Sequence, residues 1–213
     1  MKGLFLYGAK CTNQVWSEIK KKILDFDITY VEYSHDITQK AQCVEDITRW
    51  VADKYKDHQF DFIVGHSMGG IIGLELIANY EYKCDKVIFI DSSLRPANVF
   101  YRNLMTKENM DIYGGKILEM IKSEAQFYNE NLNKSLQEEF DYTEYIKNIS
   151  NNINIYGIYG DRGVRNYDKR IEDLCLDKSI SQEIKFIFIE NSCHMPMIEN
   201  PEKVTKVILD IIN

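Results

Sequence analysis

Six short runs of β-branched and aromatic residues, separated by longer stretches whose apolar residues recur three and four apart, constrain what this 213-residue chain can build. The runs cover residues 3–7, 28–33, 60–64, 86–90, 153–159 and 184–189. Most are apolar on both faces, as strands covered by helices on each side must be. The stretches between them, 15–24, 41–55, 68–80, 166–176 and 201–212, read as crossover helices; Val15, Ile19 and Ile23, for example, share one helical face. Strand and helix in alternation predict an α/β fold, a mostly parallel six-stranded sheet flanked by helices. The length fits one domain over 1–213. Only 94–152 breaks the rhythm, being too long for one crossover and lacking a strand-like run. It predicts a helical insertion, with Ile117, Met120, Ile121 and Tyr128, then Leu132, Leu136 and Phe140, on apolar faces and Gly114-Gly115 as a break between helices.

Charge and cysteine usage narrow the setting. A formal net charge of -7 argues against a nucleic-acid partner, because such binding draws on Lys and Arg meeting phosphates. The short basic run Lys20-Lys21-Lys22 reads as a solvated helix face. No stretch approaches the roughly 20 apolar residues that span a bilayer, and the run Leu4 to Tyr7 is cut by Gly8 too soon for a secretory signal. Cys11, Cys43, Cys84, Cys175 and Cys193 are odd in number and irregular in spacing, which fits reduced thiols and neither a disulfide frame nor a metal site. These features predict a cytoplasmic protein without membrane insertion. The sequence leaves the oligomeric state open.

The chemistry centres on Gly65-His66-Ser67-Met68-Gly69-Gly70, which follows a buried strand pattern and opens a helical one. A serine on so sharp a strand-to-helix corner takes a strained backbone conformation, and its neighbours must be glycine for the chains to pass. The corner raises the Ser67 hydroxyl and leaves the first N–H groups of the helix unpaired. A hydroxyl needs a base to take its proton. Of four histidines, His35 follows the second strand, His58 lies in a polar loop, and His66 is expected to point away from Ser67. His194, in the loop after the last strand, has the address from which an imidazole could reach over the sheet edge. Cys193 beside it reads as a small packing residue.

The serine corner, His194-Met195-Pro196 followed by Glu199-Asn200-Pro201-Glu202, and the segment from Tyr7-Gly8 to Trp16 resemble the α/β-hydrolase superfamily over nearly the whole chain, and within it small carboxylesterases and thioesterases. The resemblance implies a Ser67–acid–His194 triad, an oxyanion hole from the N–H groups of Ala9 and Met68, a lid formed by 94–152, and acyl transfer from a small or medium ester or thioester to water. It requires no cofactor and no metal, and its partner is a small-molecule acyl substrate. Tyr7 stands where many relatives carry histidine. Where relatives read Gly-x-x-Asp after the fifth strand, this chain reads Gly160-Asp161-Arg162-Gly163. Asp161 is therefore the first choice of acid, Asp91 the second and Asp168 the third. Carbon–carbon bond hydrolysis or a lyase step on the same triad, or ligand binding with little turnover, are the alternatives, since fold and triad do not fix the substrate.

Overall fold

The computed structural model describes residues 1–138 and 140–213; Glu139, inside the 94–152 insertion, lies outside the described residues. Six strands form one sheet, β1 (Lys2–Leu6), β2 (Asp27–Tyr30), β3 (Phe62–His66), β4 (Lys86–Ile90), β5 (Asn154–Gly160) and β6 (Ile184–Ile189), in the order β2-β1-β3-β4-β5-β6. All five pairings are parallel, with Leu4 opposite both Thr29 and Ile63, and Gly65 opposite Phe89.

The apolar runs explain this order. Every residue of β3 is buried, and Phe62, Ile63 and Val64 are fully so. Burial contributes about 1.5–3 kcal/mol for each such side chain, so the most apolar runs take the centre. The half-buried β2 and β6 take the edges, where one face or one flank meets water. The chain leaves β1 toward one edge for β2, then returns to build the rest from β3 outward. This reversal opens a crevice at the carboxyl ends of β1 and β3, the place where open α/β sheets receive ligands.

Helices cover both faces. The segment 15–24 is shorter and more irregular than its pattern suggests, a 3₁₀ turn (Asn13–Trp16) running into α1 (Ser17–Lys20). Trp16 is buried edge-on against Phe5 at 5.1 Å. A short α2 (His35–Lys40) precedes α3 (Val44–Lys54). Next comes α4 (Met68–Asn79), in which every residue from Met68 to Ile77 is buried. Thr48 on α3 donates to the buried Glu75 carboxylate on α4 at 2.6 Å, which satisfies a polar group that burial would otherwise penalise.

Among the described residues, five short helices, α5 (Val99–Arg102), α6 (Lys107–Asn109), α7 (Gly115–Ala125), α8 (Glu130–Ser135) and α9 (Thr143–Ile149), separate β4 from β5. Gly114-Gly115 does not break them. A π-turn over Met110–Gly114 continues straight into α7, both glycines keep right-handed helical angles, and the Met110 side chain fills the space beside Gly114.

After β5 the expected helix 166–176 is a series of turns ending in a 3₁₀ turn (Glu172–Leu174). Its apolar residues are too few to make a face, and Ile171 is exposed. Then follow α10 (Lys178–Ser181), α11 (Pro196–Glu199) and α12 (Pro201–Ile212). α12 has Val204, Ile208, Ile211 and Ile212 on its buried side. Among the described residues, no helix is long and apolar enough to cross a membrane.

Candidate active site

Ser67 sits at the end of β3 with φ 51° and ψ -121°, a conformation that costs a non-glycine residue about 1–3 kcal/mol. Its neighbours hold it there. A Cβ on Gly65 would overlap the Gly69 carbonyl, and one on Gly69 would overlap the Leu6 carbonyl, so the corner closes only with glycine at both positions. Ser67 N–H donates to Ile90 O at 2.9 Å, and Ser92 Oγ donates to Ser67 O at 2.8 Å, which ties the corner to the end of β4. At the end of β1, Cys11 N–H donates to Gly8 O across a tight turn with Lys10 at φ 57°. Tyr7 braces that turn: its Oη accepts from Tyr33 N–H at 2.8 Å, and Tyr33 Oη donates to Tyr7 O. Among the described residues, neither the Ala9 nor the Met68 N–H enters a backbone hydrogen bond outside the helices, and Met68, as the first residue of α4, has no partner within its helix.

His194 lies in the loop after β6, and that loop is held from several sides. Glu199 accepts from the N–H groups of Cys193 at 2.7 Å and Met195 at 3.2 Å, and from Asn109 Nδ2 at 2.7 Å. Burial pushes the Glu199 carboxyl up, against these donors. His194 N–H donates to Leu104 O, and Thr106 N–H meets the Cys193 sulfur at 3.3 Å. Gly160, at the end of β5, lets the loop lie directly on the strand, because a Cβ there would overlap the carbonyls of Ser192 and Cys193. Cys193 is fully buried, and burial pushes its thiol up to about 11, which suits a packing residue and not a nucleophile.

His66, expected to point away from Ser67, lines the same cavity and is tied to the histidine loop. Its Nε2–H donates to His194 O at 2.9 Å, and the two rings lie 4.9 Å apart. Burial, then the neighbouring His194, push the His66 imidazole down to about 3, so it is neutral at ordinary pH.

The carboxylate that meets His194 is Asp91. His194 Nδ1–H donates to Asp91 Oδ1 at 3.1 Å, since a carboxylate can only accept. Asp91 leaves β4 with φ 47°, is buried, and takes three further donors. Arg162 Nη2 reaches Oδ1 and Nη1 reaches Oδ2, both at 2.7 Å, and Gly160 N–H reaches Oδ2 at 3.1 Å. Burial alone would raise this carboxyl; the charge and hydrogen bonds of Arg162, with those of His194, outweigh it and hold Asp91 well below the usual carboxylate range.

Asp161, the first choice from sequence, is not brought to the imidazole. Its Oδ1 turns back to accept from Gly163 N–H at 2.8 Å, and it borders a surface groove with Arg165, Arg170 and Glu190. Asp168 is exposed in the following turns. Asp161 is buried but spent on its own turn, and its neighbour Arg162 is the residue of this loop that reaches the carboxylate facing His194.

Ser67, His194, His66, Asp91, Ala9 and Met68 line one cavity of about 340 Å³, closed by Ile71, Leu104 and Met195 and by Ile121, Leu136 and Phe140 of the segment between β4 and β5. Among the described residues, no hydrogen bond joins Ser67 Oγ to His194 Nε2. Such contacts are commonly long before substrate binds. A larger groove of about 1120 Å³, lined by Asp53, His58 and Tyr82 among others, lies at the amino ends of β3, β4 and β5, the opposite end of the strands from this constellation.

Solved structures share this fold. No curated protein matches the chain's sequence. Among solved structures, a thermophilic esterase from Thermogutta terrifontis superposes with TM-score 0.71 at 14% identity, covering 100% of this chain and 89% of its own. The enol-lactonase from Burkholderia xenovorans gives 0.74 at 14%, covering 99% and 90%. A lipase-esterase related protein from Clostridium acetobutylicum gives 0.66 at 17%, covering 98% and 93%. At such low identity these likenesses establish the fold alone. The sequence profile described as the alpha/beta hydrolase fold matches residues 22–183, and the chain belongs to that family.

Proposed function

We propose that the protein is a serine hydrolase that cleaves a small or medium acyl ester or thioester through an acyl-enzyme intermediate, with Ser67 as nucleophile, His194 as base and Asp91 as acid. The observation that carries the reading is the shared cavity. A serine on a strained corner faces the same space as an imidazole whose far nitrogen is engaged by a buried carboxylate. In this reading His194 Nε2 takes the Ser67 proton as Oγ attacks the carbonyl carbon, and the N–H groups of Ala9 and Met68 receive the oxyanion. His194 then hands the proton to the leaving oxygen or sulfur, and water repeats the sequence to release the acid. Asp91 fixes the Nδ1–H tautomer and offsets the imidazolium charge. The helices of 94–152 act as the lid, and their Ile121, Leu136 and Phe140 favour an apolar acyl group. The odd number and irregular spacing of the five cysteines favour a reducing, cytoplasmic setting.

The test is covalent. A fluorophosphonate probe should add one equivalent to the intact protein and none to Ser67→Ala, and p-nitrophenyl esters and acyl thioesters of graded chain length should be turned over. A wild-type protein that forms no adduct would instead favour a ligand-binding role for the cavity.

A further inference from the structure

The loop after β5 brings a buried cation to the acid, and nothing in the acyl-transfer scheme above uses it. Arg162 is buried although it carries a permanent charge. It leaves the strand with φ 54°, and its N–H donates to Ser192 O at 2.8 Å in the loop that carries His194. Its guanidinium makes a two-pronged contact with both Asp91 oxygens, donates again to Gly160 O at 2.8 Å, and lies over the Tyr101 ring at 4.6 Å. A fork of this kind fixes a carboxylate in plane as well as in place, which a single point charge does not.

We propose that Arg162 is a positioning residue of this site: its fork sets the plane of the Asp91 carboxylate so that Oδ1 meets His194 Nδ1–H, while its backbone ties the same strand end to the histidine loop. The proposal rests on the serine hydrolase reading and names a part that reading does not contain. The reason is geometric. Asp91 comes from β4, next to the serine strand, and its own backbone leaves the sheet in a left-handed turn. Without a partner across from His194, the carboxylate could rotate about its side-chain bonds and lose the imidazole. Arg162 closes the far side, so that four donors surround two oxygens and one orientation satisfies them all.

The arrangement has an electrostatic signature. A cation bonded to both oxygens of Asp91 reduces the attraction that the carboxylate exerts on a proton arriving at His194. The other titratable groups packed around the pair do not supply a competing charge of that kind. His66 is neutral, Tyr101, Tyr159 and Cys193 are held protonated by burial, and burial raises Glu199, which is spent on the backbone of the histidine loop. Removing the Arg162 charge should therefore move the acid limb of kcat/KM to higher pH, whereas removing only the fork should not.

The experiment compares the full-length wild type with Arg162→Lys and Arg162→Met, following p-nitrophenyl acetate turnover from pH 5 to 9 and fluorophosphonate labelling rates in parallel. Arg162→Lys keeps the charge and loses the fork; kcat should fall at least about tenfold with KM little changed and the acid limb in place. Arg162→Met should lose both kcat and labelling rate and shift its acid limb upward by about one pH unit. The downfield NMR signal of the His194 Nδ1 proton should broaden or vanish in both. If the methionine variant does not fold, the lysine variant and its proton signal still decide the matter. Wild-type turnover with an unchanged lysine variant overturns this inference alone. A wild type that neither labels nor turns over overturns the hydrolase reading and this one with it.

Discussion

Replacing Asp91 by asparagine separates the carboxylate that meets His194 from the acid suggested by sequence. The amide keeps the shape of the carboxylate but has one oxygen and one NH₂ where the native group has two oxygens. Both native oxygens accept twice, Oδ1 from Arg162 and His194 and Oδ2 from Arg162 and Gly160. Whichever way the amide turns, its NH₂ faces two N–H donors. If His194 loses its acceptor, the productive tautomer is no longer held, and kcat/KM should fall by about 10³–10⁴-fold, or roughly 4–5.5 kcal/mol of transition-state stabilisation. The same substitution leaves the Arg162 charge without a counter-ion in a buried site, which costs about 3–5 kcal/mol of stability. For a chain of this size that is a loss of roughly 6–20 °C in Tm. Asp161→Asn disturbs only a local turn with Gly163 N–H, and its kcat/KM should stay within about threefold of wild type. The assay is p-nitrophenyl acetate turnover at a temperature where both variants are folded by near-UV circular dichroism, paired with thermal melts. Equal and small losses in the two variants would refute the assignment, and a collapse confined to Asp161→Asn would reverse it.

Two further outcomes test the frame around the triad. Gly160→Ala places a methyl against the Ser192 and Cys193 carbonyls and should displace the His194 loop, lowering kcat about 100-fold with little effect on KM; unchanged kinetics would show that the loop has room to spare. His66 provides a pH signature. Because its folded-state imidazole is pushed from 6.5 down to about 3, the unfolded chain binds a proton that the folded one refuses, so stability is full above about pH 6.5 and is lost as pH falls toward 3. Between pH 6.5 and 4.5 this amounts to about 2–3 kcal/mol in urea unfolding, a window that lies above the range where Asp91 adds its own loss. His66→Gln should flatten that slope, and an equally steep slope would refute the burial argument.

Much of the frame is legible in the chain because it follows from local pattern. The six strands stand out where both faces are apolar, as in Phe62-Ile63-Val64, and blur at the edge, where the run 28–33 leaves the sheet after Tyr30 although Val31 and Tyr33 are still buried. Ser67 and His194 are found from their places relative to strand ends, Met68 and Ala9 from the family resemblance, and the cavity gathers all four. The acid escapes such reading. Whether Asp91 or Asp161 turns inward depends on the left-handed backbone at Asp91 and Arg162 and on a guanidinium arriving from another strand, none of which has a periodic signal. One cue was present: an aspartate immediately after the buried run Val87-Ile88-Phe89-Ile90, with an arginine beside the misplaced glycine of the later loop. The helix expected at 166–176 fails for a plainer reason: of its apolar residues only Leu174 is buried, and Cys175 turns into the left-handed conformation.

The attachment of the histidine loop to residues 104–109 has an architectural consequence. Leu104, Thr106 and Asn109 belong to the segment between β4 and β5, yet they hold the loop from Asn191 to Glu199 through its backbone at Asn191 and His194 and the side chains of Cys193 and Glu199. The roof of the cavity and the seat of the imidazole thus share a hinge pin. Exchanging the whole insertion for that of a relative would unseat His194, whereas a transplant that begins after Asn109 would leave its anchorage whole and alter only the walls that a substrate meets.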